Sequence, residues 1–304
     1  MQYGNNVNIG IFSEREFVNE YLETKYENRG STSQFIDQKS ETRIAIKKGE
    51  TFCIILGNHK FDTPSFPELN NVKNDVFKIE DVLKSNYKTT TLLLTDITYQ
   101  EFLDTIYYIN SNYKFEKGSQ ILFYAASHGY KDNFLGSGNL VFTDTKKGKF
   151  IQSAIDLRIL KQMITGFGAT NTLMLMDICF SGLAFESEIC NEPSKDSIPL
   201  NSQIFTKKFN ESSPAFFNFL KKPSNLYYSS SRDQEAADGL GDNSPFATVV
   251  IKFLEDNNLP VIDSYHLQER INKDAFKYGA ISFPKFCSYN CEVSPEARFL
   301  FIQN

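Results

Sequence analysis

The chain has 304 residues, of which 41% are hydrophobic and 23% charged, and its net charge at pH 7 is −5. That length and apolar share allow a well-buried core and exclude an intrinsically disordered chain. The mild acidity lacks the basic excess of a nucleic-acid binder, and no apolar run reaches the length of a membrane span.

Five cysteines stand at positions 53, 179, 190, 287 and 291. Their odd count and irregular spacing follow no disulfide framework. The N-terminus shows no basic stretch followed by an apolar one, so no secretory leader is read there. Together these features imply a cytoplasmic, reducing setting in which a reactive thiol persists.

Residues 1–48 are polar and read as an N-terminal extension, a docking or pro-segment and a place for a regulator. They hold one amphipathic helical pattern over 13–26, with Ser13 and Glu16 in capping-box spacing. From residue 49 to 304 the chain reads as one domain. Residues 51–57 (TFCIILG) form a short apolar run ending in Gly, as expected of a buried parallel strand. Val72, Val76, Ile79, Val82 and Leu83 recur at helical spacing over 72–85. Strands follow at 90–95, 119–127, 171–176 and 225–230, with helices at 99–111, 157–166 and 244–256 between or after them. Residues 283–287 supply a sixth strand. Alternating strands and helices predict an α/β fold, a mostly parallel six-stranded sheet covered by helices on both faces. The longest irregular stretch is 186–224, long enough to read as functional or disordered.

Ligands of such sheets bind beyond the carboxyl ends of the strands. The 119–127 strand runs into Ser127-His128-Gly129, and the 171–176 strand into Asp177-Ile178-Cys179-Phe180-Ser181-Gly182. If these strands are neighbours, a thiol and an imidazole approach each other on one edge. A thiolate attacks a carbonyl while the imidazole manages protons for the thiol and the leaving amine. The backbone N–H groups of Gly129 and Cys179 are then placed to form an oxyanion hole. A cysteine at a strand end is by itself more often a small buried hydrophobe, and a His-Gly pair arises by chance. It is their joint placement after successive strands that favours catalysis. Cys53, inside the first strand, reads as core. His59 reads as a loop residue and His266 as a surface or helix residue.

These motifs resemble the caspase–metacaspase superfamily. Residues 69–83 (LNNVKNDVFKIEDVL) are similar to its first helix, 227–238 (YYSSSRDQEAAD) to the metacaspase stretch after the large loop, and 244–247 (SPFA) to the start of the next helix. His128 precedes Cys179 by 51 positions, near the roughly 50 of caspases. Asp177 before the cysteine and Ser181-Gly182 after it lie nearer metacaspases and their bacterial relatives than the Q-A-C-[RQG]-G signature of animal caspases.

The resemblance implies a three-layer caspase-like fold and a cysteine endopeptidase with a Cys179–His128 dyad. It also places Asp75 and Asp177 in the pocket for the residue preceding the cut bond (P1). Two carboxylates favour a cationic side chain there, so the expected substrate is a protein or peptide with exposed Arg or Lys. Asp75 as a charge at a helix N-terminus and Asp177 as a turn cap are the plainer readings. Asp233 is expected to border the same pocket, and Ser229 and Ser230 to pair with an extended substrate backbone. The family often cuts its linker during activation, which makes Lys195, Lys207, Lys208, Lys221 and Lys222 self-cleavage sites or, equally, lysines of a solvated loop.

No cofactor is expected. Asp132, Asp144 and Asp156 are too sparse to supply the six to eight oxygens calcium requires, and Cys287 with Cys291 has metal-like spacing without a second pair. A catalytically silent scaffold is the alternative within the fold. An α/β binding module is the alternative outside it, weakened by the absence of a Gly-rich phosphate loop. Bacterial relatives of this type act in defence or programmed-death systems, which gives the resemblance a context.

Overall fold

A computed structural model describes residues 43–185, 220–232, 241–289 and 298–304. In chain order the elements are β1 (Ile44–Ile46), β2 (Thr51–Gly57), α1 (Val72–Asn86), β3 (Thr89–Thr95), α2 (Tyr99–Asn112), β4 (Tyr113–Phe115), β5 (Gln120–Ser127), β6 (Gly129–Asp132) and β7 (Ser137–Val141). Then come α3 (Phe150–Ser153), β8 (Ala154–Asp156), α4 (Leu157–Thr165), β9 (Asn171–Ile178), β10 (Ser224–Ser229), α5 (Pro245–Glu255), β11 (Val261–Asp263), α6 (Ser264–Asp274), β12 (Lys285–Ser288) and β13 (Leu300–Ile302).

The central sheet has six strands in the order β12-β10-β9-β5-β2-β3. All pairings are parallel except β10 with β12. Every residue of β2, β5 and β9 is buried, because helices cover both faces. Side chains alternate across a strand, and the two cores divide accordingly. Cys53, Ile55, Leu122 and Tyr124 join the helices α1, α5 and α6 on one face. Phe52, Ile54, Ile121 and Phe123 join α2 and α4 on the other. The helical positions expected in α1, from Val72 to Leu83, are those it buries. Thr98 and Glu101 close a reciprocal capping box at the start of α2.

The main sheet and helices α1, α2, α4 and α5 match the sequence expectation, with the sixth strand beginning two residues later than foreseen, whereas α6 was not foreseen. The small sheets β1-β4, β6-β7-β8 and β11-β13 were not foreseen. They are three to five residues long, and β6 (GYKD) has no apolar alternation to betray it. Among the described residues no helix is long and apolar enough to cross a membrane. The 13–26 pattern, Lys195, Lys207, Lys208, Cys190, Asp233 and Cys291 lie outside the described residues.

One expectation is corrected. Cys287 is fully buried in β12 and disulfide-bonded. Spacing along a chain cannot show which thiols meet.

Candidate active site

The register of the sheet builds the site. In the β5–β9 pairing Ala126 lies opposite Asp177 and Ser127 opposite Ile178. The next residues on these neighbouring strands are His128 and Cys179. Gly129 then packs directly on the Cys179 segment: a Cβ at that position would collide with the Cys179 carbonyl and lie 3.1 Å from the Cys179 nitrogen. Any side chain at 129 would push the two strand ends apart, which explains the glycine more sharply than access to a carbonyl oxygen.

His128 is half-buried and its Nε2 lies 2.7 Å from the Pro67 carbonyl oxygen. A carbonyl only accepts, so Nε2 carries the proton of the neutral ring and Nδ1 holds the lone pair. Phe61 and Phe66 flank the imidazole at centroid distances of 4.9 and 5.5 Å. The loop bearing Pro67 is itself pinned. Asp96 accepts the His59 and Lys60 N–H groups at 2.8 and 3.0 Å, and His59 Nδ1 lies 2.6 Å from Asp96. The buried Asn58 accepts from the Ile97 N–H and donates to the Val141 carbonyl.

After Cys179 the chain turns sharply. Phe180 has φ 58°, a left-handed conformation that costs a non-glycine residue roughly 1–2 kcal/mol and persists only where its surroundings determine it. Behind it runs a short 3-10 turn, Ser181–Phe185. Gly182 donates to the Ser231 carbonyl at 3.1 Å, so close that a Cβ at 182 would lie 2.6 Å from the Arg232 Cα. Cys53 shows the contrast. It is fully buried, and burial, followed by the charge of Glu80, pushes its thiol far above the ordinary value. Cys179 is partly exposed.

One cavity of about 390 Å³ is lined by Pro67, His128, Gly129 and Cys179 together with Asp75, Asp177 and Ser244. Asp75, in the first turn of α1, is fully buried and accepts from Asn243 Nδ2 at 2.7 Å and the Ser244 N–H at 3.1 Å. Asp177 Oδ2 accepts the Ser244 hydroxyl and lies 3.4 Å from the Tyr124 hydroxyl. Burial, then the charges of Asp177 and Asp75, push the Tyr124 phenol well above its ordinary value. It therefore stays neutral and donates. The Ser244 hydroxyl also accepts the Ala247 N–H at 3.0 Å, capping α5. Thus one residue ties both carboxylates to a helix start.

Ser229 is fully buried; its hydroxyl donates to the Ser231 carbonyl at 2.7 Å and accepts the Lys285 N–H at 3.2 Å. β10 lies between β9 and β12, so its main chain at Ser229 has strands on both sides. Ser230 ends the strand with its N–H on the Met176 carbonyl. Lys221 is exposed and Lys222 half-buried, just before β10. Asp132 accepts the Phe134 and Leu135 N–H groups in a hairpin turn, and Asp144 accepts the Tyr99 N–H. Asp156 caps α4 and pairs with Arg158. These three acids serve separate local structures, and among the described residues no group of three His, Cys, Asp or Glu side chains is placed to hold a metal ion.

The sequence reading missed Pro67, Tyr124 and Ser244. Ser244-Pro245 is a helix-start signature, so Ser244 had a signal. Pro67 had none, because its contribution is a main-chain carbonyl.

The caspase-domain family model matches residues 50–282. No curated protein matches the chain in sequence. Among solved structures the chain is similar to the crystal structure of caspase-1 from Spodoptera frugiperda, with a TM-score of 0.52 and 12% identity, over 85% of this chain and 94% of that one. The structural likeness establishes the fold, and the family match spans the pinned loop, both strand ends and the carboxylate pocket. The chain therefore belongs to the caspase-domain family of cysteine peptidases.

Proposed function

We propose that the chain is a cysteine endopeptidase that cuts after Arg or Lys using a Cys179–His128 dyad. The observation that carries this reading is the single cavity in which the thiol, the imidazole, Asp75 and Asp177 meet. The Cys179 thiol passes its proton to His128 Nδ1 and the resulting thiolate attacks the scissile carbonyl carbon, while the charge developing on its oxygen is met by the N–H groups of Gly129 and Cys179. As the C–N bond breaks, His128 Nδ1 delivers a proton to the leaving amine, while Pro67 holds the Nε2–H and keeps the ring in one orientation. Water then gives a proton to Nδ1 as its oxygen attacks the thioester, and the thiolate departs. A substrate guanidinium or ammonium enters between Asp75 and Asp177, whose carboxylates are oriented by Asn243, Ser244 and Tyr124. Lys221, and with it Lys195, Lys207, Lys208 and Lys222, offers basic residues for self-cleavage in the 186–224 segment.

The test uses fluorogenic peptides ending in Arg, Lys or Asp beside the Cys179→Ala variant. Turnover of the Arg and Lys peptides by the wild type, abolished in the variant, is the expected result. Preference for Asp overturns the pocket assignment, and equal turnover by the variant overturns the nucleophile. Absence of turnover, with or without calcium, leaves the silent scaffold. Mass spectrometry of the same samples locates any cut in the linker.

A further inference from the structure

Three carbonyl groups of the turn behind Cys179 are held by side chains from three different elements. The Tyr227 hydroxyl of β10 donates to the Ser181 carbonyl at 2.8 Å. Lys285 Nζ, opening β12, donates to the Gly182 carbonyl at 3.2 Å. Lys161 Nζ, from α4, donates to the Ala184 carbonyl at 2.9 Å. Lys161 is only 1% exposed, a burial lysine almost never adopts without compensation. Its ammonium sits 3.7 Å over the Phe185 ring and 5.2 Å over Tyr289, and Lys285 approaches Phe185 at 5.7 Å. The cations are thus stabilised by aromatic faces as well as by carbonyl oxygens. Burial, then the nearby Tyr289, pushes the Tyr227 phenol well above its ordinary value, so it remains a donor.

An apolar side chain at 161 would fill the same space without desolvating a charge. What the ammonium adds is a directed bond to a turn joined on one side to the left-handed Phe180. We infer that Lys161 and Lys285 are positioning residues that lock this turn, and through Phe180 the Cys179 N–H and thiol, in their reactive orientation; this rests on Cys179 being the nucleophile. With the carbonyls of residues 182 and 184 tied down, their peptide planes cannot rotate, and Phe180 cannot relax to a right-handed conformation. The lock lies entirely behind the pocket, so it acts on the chemical step and not on the fit of the P1 side chain.

The test compares Lys161→Met, Lys285→Met and Lys285→Arg with the wild type in peptide hydrolysis and in the rate of Cys179 alkylation by iodoacetamide. Tyr87→Phe serves as a stability control, because it removes a buried hydrogen bond to the Leu254 carbonyl far from the site. The methionine variants are expected to lose about tenfold or more in kcat, since a small misplacement of a reacting group carries such costs, with KM within about twofold of wild type. Alkylation should slow in parallel, Lys285→Arg should retain most activity, and Tyr87→Phe should lower the melting temperature without changing kcat. Should Lys161→Met not fold, the half-exposed Lys285 decides. Unchanged kcat and alkylation in the folded methionine variants overturns the inference, as does a loss confined to KM or one matched by Tyr87→Phe. Those outcomes leave the nucleophile standing, whereas full activity of Cys179→Ala removes the reading beneath it.

Discussion

Two regions of the molecule, around Asp263 and around the Asp75–Asp177 pair, bury carboxylates by different means. Asp263, fully buried at the start of α6, is met by charged or chargeable partners. Arg298 donates to one oxygen and His266 Nδ1 lies 2.7 Å from the other, with the Tyr265 and His266 N–H groups completing the cap. Around Asp75 and Asp177 the described donors include Asn243, Ser244 and Tyr124, which are neutral. Cations cancel a buried charge and convert it into a structural joint. Neutral dipoles orient a carboxylate while leaving its charge in place, which is what a pocket for a cationic side chain needs. The same residue type is thus a fastener in one region and, on the function proposed above, a specificity element in the other.

The comparison can be broken most directly at Arg298. Arg298→Met leaves Asp263 buried beside a half-exposed histidine, and the expected loss is about 3–5 kcal/mol of stability, read from urea unfolding. Selectivity among Arg, Lys and Asp peptides should be unchanged in the folded fraction; altered selectivity would erase the distinction between the two regions. The converse change is Asp177→Asn. It should lower kcat/KM for Arg and Lys peptides on the order of 100-fold and affect peptides with a neutral P1 much less. An equal loss for both peptide classes would make Asp177 a structural acid like Asp263.

The smallest expected effect concerns pH. The hydrogen bond to Asp263 raises the pKa of His266 above its ordinary 6.5, against the opposing effect of burial, with Glu269 adding to the rise and Arg298 opposing it. A raised folded-state pKa means that the stabilisation is fully present below the unfolded value of 6.5 and is lost as pH rises through the raised folded value. Asp263 itself is burdened by burial, yet the bonds and charges of His266 and Arg298 hold its pKa below 3.8. Its contribution is therefore present above 3.8 and disappears as pH falls through the lowered value. The melting temperature should decline gently as pH rises from about 6.5, and His266→Gln should flatten that slope. A wild-type slope that persists in His266→Gln would place the titration elsewhere.

Much of this protein was legible in the chain. The central strands are short apolar runs because both faces of a parallel sheet are covered, and α1 announced its buried face by spacing. That His128, Cys179, Asp75 and Asp177 share one cavity was legible because each lies at a strand end or in the first turn of a helix at the sheet's carboxyl edge. The small sheets escaped because three to five residues carry too little periodicity.

What the sequence by itself determined was the order of the central strands and helices along the chain, and the chemistry placed at their ends. Only the tertiary structure decided how those ends are served. It showed that the Pro67 carbonyl orients the imidazole and that Ser244 spans two carboxylates. It showed that Lys161 is buried against a turn 20 residues or more away in sequence, and that Cys287 is disulfide-bonded. The physical reason is common to all four. A main-chain carbonyl has no residue-specific signature, and a side chain's partner is set by which strands become neighbours, something local spacing does not encode. The same limit applies to Asp263 and Asp177, which look alike in sequence until their donors come into place.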